Sequence, residues 1–167
     1  MLVLCLLEYL KLNSRRERGE SHFFMAVQDA VIAAENAVIA AESLGIGSCY
    51  IGDIMEQKEY HKTLFNLPEY VFPVAMLTLG YYPEDYMVPL KERFAEKYVV
   101  FEERYNELSK EDIDDMFRKR DQLFTAKNKY NAKNYAQMHY NFKVKAPFSK
   151  EMQRSVEEAL KEWDKKE

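Results

Sequence analysis

The chain has 167 residues, enough for one domain with a real core, and its 47% hydrophobic content, with 10 Phe and 12 Tyr, excludes a disordered polymer. A net charge of −4 excludes a sequence-wide basic field that would recruit nucleic acid or an anionic membrane. Two cysteines, Cys5 and Cys49, exclude a disulfide framework; both lie in apolar strand-like runs, which predicts buried, inert thiols and a reducing, cytoplasmic setting.

In chain order, the opening MLVLCLL is short, has no basic flank and meets Glu8 at once, so it reads as a buried strand over Leu2–Leu10, not as a signal peptide. A polar loop follows at Asn13–Glu20. A helix is predicted from about Ser21 to Leu44. Its core, DAVIAAENAVIAAES, leaves no side without a small or apolar residue: Ala30, Ala33, Ala34, Ala37, Ala40 and Ala41 alternate with Val31, Ile32, Val38 and Ile39. A helix apolar all round is expected to be buried on all sides. Phe23–Leu44 has membrane-span length, but Asp29, Glu35 and Glu42 are costly in hydrocarbon, which argues against a span.

Gly45 is placed to end this helix with a positive φ, and Gly47 to keep the following turn tight. A short strand at Cys49–Ile51 leads to Asp53, which with Glu56 has the spacing of a capping box for a short helix. Val71–Tyr81 reads as a strand with Pro73 near its start. Ser109 and Asp112 predict a helix start and a charged helix to about Lys127, with another over Asn131–Asn141. Pro147 reads as a break and Ser149 as the cap of a last helix. In that helix Met152, Val156, Leu160 and Trp163 form one apolar stripe that needs a surface to cover.

Several chemistries find no support in the residues. His22, His61 and His139 have no partner spacing for a metal site, so none is expected. There is no Gly-x-Ser-x-Gly, and neither cysteine sits in a nucleophile motif. The aromatics and lysines between Tyr98 and Phe148 are interrupted by Glu102, Glu103, Asp114 and Asp115, so helix packing is preferred to single-strand nucleic-acid binding. Lys91-x-Arg93 places two cations on an extended segment where both could reach one phosphate. From the residues alone, a solvated surface pair is the simpler reading.

The ordered set of pieces is more specific than any one of them. Asp29, Ala33-Ala34, Asn36, Ala40-Ala41, Gly45, Gly47-Ser48, Ile51-Gly52, Leu67-Pro68, Pro73, Gly80, Pro83, Lys91 and Arg93 follow one another in a pattern that resembles the nitroreductase family. The likeness runs from residue 1 to Arg93 and is closest to the larger NADPH-dependent nitroreductases and flavin reductases. It implies an α+β fold: a nitroreductase-like sheet flanked by helices around a central buried helix, with a helical C-terminal arm. Residues 1–93 would form a partial core and 94–167 an extension packed on the core or a partner subunit, one domain overall.

The resemblance further implies FMN as cofactor and NADPH or NADH as electron donor. A nitroaromatic, quinone or free flavin would be the small-molecule acceptor, in ping-pong order. Tyr50, Ile51, Gly52 and Asp53 would run along the edge of the flavin ring, with Gly52 allowing close approach and the start of the next helix adding a favourable dipole. Lys91 and Arg93 would hold the phosphate. The flavin carries the chemistry, so no side chain is assigned as acid, base or nucleophile. Family members resemble intertwined homodimers, and the 21–44 helix with the C-terminal arm is the expected interface.

Two departures qualify the likeness. The turn Gly80-Tyr81-Tyr82-Pro83 has one residue more than the family's Gly-Tyr-Pro. The family's opening third, with its Arg-Arg-Ser-x-Arg motif, has no counterpart; Arg15-Arg16-Glu17-Arg18 lies too close to the buried helix and reads as a solvated loop. The sequence thus reads as an N-terminally shortened member, whether a fragment, a misplaced start or a natural form. A natural form opens a second reading: a flavin-free homologue acting as a non-catalytic dimeric or partner protein.

Overall fold

The structure, a computed structural model, describes residues 2–3, 19–87, 89–125 and 127–163. The chain forms two compact units: Met1–Tyr86 together with Pro147–Glu167, and Met87–Ala146.

The first unit is α+β. Its elements are β1 (Leu2–Val3), α1 (Glu20–Ser43), β2 (Ile46–Ile51), a 3₁₀ turn (Gly52–Met55), α2 (Lys58–Leu64), β3 (Met76–Tyr81) and α5 (Pro147–Trp163). Among the described residues the sheet is antiparallel in the order β1-β3-β2. Its register pairs Leu2 with Leu77, Gly47 with Gly80 and Ile51 with Met76. The predicted strand over Leu2–Leu10 is therefore seen at Leu2–Val3; its remainder, the 13–18 part of the polar loop with Arg15–Arg18, and Cys5 lie outside the described residues.

Helix α1 falls where its composition places it. Gly45 ends it at φ 71°, and the N–H groups of Leu44 and Gly45 close on the carbonyls of Ala41 and Glu42. The expectation of burial on every side is corrected within this chain. Phe23, Ala26, Ala30, Ala34 and Ala41 are buried along one face, whereas Phe24, Met25, Ile32 and Ile39 remain about 60% exposed. Alanines let the sheet approach closely, so Ala34 packs on Ala75 and Leu77, with Ala37, Val38 and Val74 around them. The opposite face has no layer over it among the described residues. By length and composition alone α1 would suffice to cross a membrane.

The second core cluster joins the ends of the chain. Phe23 of α1, Phe72, and Ala159 and Trp163 of α5 are buried together, with Val156 and Leu160 packed against them. Phe23 and Trp163 meet edge to face at 5.6 Å. Of the predicted stripe Met152, Val156, Leu160 and Trp163, the last three are thus covered by the first unit itself, while Met152 is half-buried outside this cluster. Helix α5 starts at Pro147, whose fixed φ suits a first helical position, instead of being broken there and capped by Ser149.

Other boundaries moved for identifiable reasons. Strand β2 begins at Ile46, three residues before its predicted start, because Gly47 pairs with Gly80 in the ladder and is not a turn residue. Strand β3 begins only at Met76; Pro73 has no N–H to give, and among the described residues Val71–Ala75 have no partner strand. Cys49 is exposed, correcting the expectation of a buried thiol.

The second unit holds a 3₁₀ turn (Glu96–Tyr98), α3 (Lys110–Gln122) and α4 (Tyr135–Lys143). The predicted capping box forms: the Ser109 Oγ accepts from Asp112 N–H at 3.1 Å and Asp112 accepts from Ser109 N–H at 3.0 Å. Helix α3 ends at Gln122, five residues short of the expected Lys127. Helix α4 begins after Asn134, whose side chain accepts from Gln137 N–H at 2.8 Å, later than the expected Asn131. The unit is held by rings: Phe94 packs edge-on against Phe117 at 5.3 Å, and Tyr98 is buried.

Candidate functional site

The six residues singled out from the sequence fall into both units. Tyr50 and Ile51 are the last two residues of β2, paired across the sheet with Leu77 and Met76. Gly52 and Asp53 open the 3₁₀ turn, which is anchored by Ile54 at 2% exposure. The segment continues from the end of β2, and Ile54 is its residue drawn into the core.

Three expectations about this segment need correction. Asp53 and Glu56 make no capping box; Ile51 is the N-cap residue and no side chain caps the turn. The turn is four residues long, too short for the aligned peptide dipoles of a full helix. The true helix, α2, starts only after Gln57, which takes a left-handed φ of 48°.

Helix α2 receives its cap from far along the chain. Gln57 N–H donates to Glu151 Oε1 at 3.1 Å, and Lys58 N–H donates to the fully buried Ser155 Oγ at 3.1 Å. Arg154, on the same turn of α5, bonds both carboxylate oxygens of Glu59 at 3.0 and 2.8 Å and also holds Glu151. Lys58 is buried and pairs with Glu162 at 2.6 Å. These contacts fix the end of the 52–56 segment. Sequence reasoning missed Glu151 and Ser155; no local pattern marks a helix start whose acceptors stand more than 90 residues away.

The electrostatics around the segment are set by carboxylates. Tyr50 Oη donates to Glu35 Oε2 at 3.2 Å; desolvation and this carboxylate hold the phenol above its ordinary pKa. Glu56 is raised as well, by desolvation first and then by repulsion from Asp53 and Glu151.

Gly52 stands apart from the other glycines of β2 and its flanks. Its φ lies outside the left-handed region, and nothing lies within 4 Å of where a Cβ would be. Among the described residues nothing demands glycine there. Gly47 differs: a Cβ on it would meet the Tyr82 ring at 2.5 Å.

In the second unit, Lys91 and Arg93 are exposed on the 89–95 stretch, which has neither helix nor strand. Among the described residues neither has a hydrogen-bond or ion-pair partner. Glu92 between them is taken by Lys119 at 2.6 Å, which lowers its pKa. Arg93 lines a cavity of about 230 Å³ with Phe94, Lys97, Tyr98, Asp115 and Arg120. Asp115 is engaged by Tyr98 Oη, by Lys97 at 3.2 Å and by Arg118 at 2.8 Å, and its carboxyl is held below the usual range. Arg120 lies over the Phe94 ring, 3.7 Å from its centroid.

Taken unit by unit, the open backbone at Gly52 in the first would admit a flat ring, and in the second Lys91 and Arg93, without carboxylate partners among the described residues, would suit a phosphate. Among the described residues no three His, Cys, Asp or Glu side chains converge as a metal site would require.

The fold of the first unit is α+β, and comparison with known proteins specifies it. Residues 1–81 match the sequence model of the nitroreductase family. The chain resembles NfrA2 of B. megaterium, with 31% identity over 93% of this chain and 61% of that one, at a TM-score of 0.69. It also matches the NADPH:FMN oxidoreductase of Vibrio harveyi in fold, at 23% identity and a TM-score of 0.70, covering 95% of this chain and 65% of that one. A chromate (Cr(VI)) reductase from Pseudomonas sp. (strain G-1) is 44% identical over 62 residues, 37% of this chain and 23% of that protein.

The family likeness thus covers residues 1–81, a little under half of the chain, and the fold is the nitroreductase fold. The chain spans 61% and 65% of the length of the two solved relatives and 23% of the chromate reductase.

Proposed function

We propose that the protein is an FMN-dependent oxidoreductase using NADPH or NADH. The observation that carries this reading is Gly52: among the described residues nothing lies within 4 Å of where its Cβ would be, as also at Gly80, and Gly52 stands at the position where the family brings backbone to the flavin. When bound, a flavin would supply two-electron transfer between the nicotinamide and a second substrate. The chain's own part is to bind and orient. Tyr50, Ile51, Gly52 and Asp53 would border the ring, with the first N–H groups of the 3₁₀ turn left unused by the turn itself. Lys91 and Arg93 would hold the phosphate by charge-assisted bonds. Glu151 and Ser155 would keep the segment in place through the start of α2.

Acceptors in this reading are nitroaromatics, quinones or free flavin, and the chromate reductase likeness adds chromate for testing. The exposed face of α1, with Phe24, Met25, Ile32 and Ile39, is read as part of a homodimer interface, in a cytoplasmic protein.

The test is a titration of the purified protein with FMN and with riboflavin. Replacing Lys91 and Arg93 together by Ala removes two charge-assisted contacts at about 1.5–3 kcal/mol each. FMN affinity is expected to fall by about two to four orders of magnitude, while riboflavin, which has no phosphate, barely changes. Gly52→Val is expected to weaken both ligands without loss of thermal stability. Absence of FMN binding up to millimolar concentration would refute the reading.

A further inference from the structure

Tyr50 is tied to a carboxylate of an unusual kind for this chain. Its Oη donates to Glu35 Oε2 at 3.2 Å, from β2 across to α1. Glu59, Glu92, Glu151, Glu158 and Glu162 are each paired with a lysine or an arginine. Glu35 has no such cation among the described residues, and there the phenol is the one partner of its carboxylate.

Both ends of this bond are placed by the core. Ala34, the neighbour of Glu35 on α1, is fully buried and packs on Ala75 and Leu77. Leu77 of β3 is in turn the strand partner of Tyr50. Paired residues of two strands share a face of the sheet, so Tyr50 stands on the face that α1 covers. The bond between Glu35 and Tyr50 closes a triangle of α1, β3 and β2, one pair before the ladder ends at Ile51 and Met76. The next residue is Gly52, which has no side chain to fix it and, among the described residues, no atom within 4 Å of where a Cβ would stand. Its backbone is held from two sides instead, by the buried Ile54 after it and by Tyr50 before it.

We propose that Glu35 is a positioning residue: through the Tyr50 hydroxyl it holds the end of β2, and with it the backbone of residues 51–53, in one conformation. Tyr50 is 42% exposed, so water competes for the bond and its effect on global stability is small; what it limits is local opening. A segment already held in one conformation binds a flat ring without first having to be ordered. The hold on the strand stands by itself, whereas its consequence for ring binding rests on the flavin reading.

The experiment measures hydrogen exchange by mass spectrometry on the flavin-free full chain, over a peptide spanning 48–55, beside titrations with FMN and riboflavin. The variants are Tyr50→Phe, Glu35→Ala, the two together, Glu35→Gln, which keeps an acceptor oxygen, and Glu42→Ala as a control elsewhere on α1. Tyr50→Phe and Glu35→Ala are each expected to speed exchange in that peptide by about two- to tenfold, the worth of one net hydrogen bond. The double variant is expected to gain nothing more, since both changes remove the same contact. Glu35→Gln is expected to keep exchange slow, and Glu42→Ala to match the unmodified protein. FMN and riboflavin are expected to weaken together by that same factor, because the phosphate takes no part.

Faster exchange with both flavin affinities unchanged keeps Glu35 as the residue that holds the strand and removes residues 50–53 from the flavin reading. The proposal is overturned if either single variant leaves exchange over 48–55 unchanged, or if the two effects add in the double variant. It is overturned equally if Glu35→Gln behaves as Glu35→Ala does, or if Glu42→Ala speeds exchange as much.

Discussion

The Tyr82 ring covers Gly47 so closely that a Cβ at position 47 would stand 2.5 Å from its Cζ and 2.7 Å from its hydroxyl oxygen. Tyr82 is itself stacked on Tyr86 at 5.3 Å and 11°. Gly47 is paired with Gly80 next to the end of the β2–β3 ladder, where a side chain would otherwise favour the strand.

Gly47→Ala is therefore expected to displace the Tyr82 ring and cost about 0.5–3 kcal/mol in urea unfolding. In a Tyr82→Ala background the same change is expected to be neutral or stabilising, since the obstruction is gone and Ala suits a strand interior better than Gly by about 0.5–1 kcal/mol. A double-mutant cycle measures the difference. Equal costs in both backgrounds would show that the ring is not what position 47 accommodates.

Ser155→Ala removes the acceptor of a buried backbone donor at the start of α2. Leaving that N–H unsatisfied is expected to cost about 1–3 kcal/mol. Ser155→Thr, which keeps the hydroxyl but adds a methyl to a fully buried site, is expected to be destabilised by overpacking instead. Hydrogen exchange of the Lys58 amide separates the two: it speeds up selectively in the alanine variant.

Stability is expected to fall in acid through Glu59 and Glu151. Hydrogen bonds from Arg154 are the main cause holding each carboxyl at about 2 in the folded protein, against an ordinary value of 4.5. A folded pKa below the unfolded one means the contribution is complete above the unfolded value and is lost as pH falls from about 4.5 toward 2. Arg154→Met should make the acid limb of the melting temperature less steep over that window. Because Arg154 is 44% exposed, added salt should shrink the same contribution in the unmodified protein.

Trp163 closes the cluster of Phe23, Phe72 and Ala159, and its indole Nε1 is buried with no hydrogen-bond partner among the described residues. Trp163→Ala is expected to cost about 3–5 kcal/mol by opening a cavity. Trp163→Phe keeps ring contacts with Phe23 and Tyr70 and gives up no hydrogen bond, so its cost should be at least about 1 kcal/mol smaller. Denaturant midpoints followed by far-UV circular dichroism, which does not depend on the indole, decide it.

What the sequence by itself determined was written within a few residues at a time. The alanine run placed α1, Gly45 supplied the left-handed residue that ends it, and Ser109 with Asp112 fixed the start of α3. The spacing of Val156, Leu160 and Trp163 announced a covered face on α5. The order of short motifs from Asp29 to Gly80 carried the family likeness that residues 1–81 bear out.

Only the tertiary structure decided which residues meet across long stretches of chain. It chose the single face of α1 that is covered, laid Tyr82 over Gly47, capped α2 with side chains from α5, and set Arg120 on Phe94. The physical reason is range. Helix propensity, caps and glycine conformations are local free energies legible in neighbouring letters. A buried N–H, by contrast, is satisfied by whatever acceptor packing brings to it, and for Lys58 that acceptor lies 97 residues away.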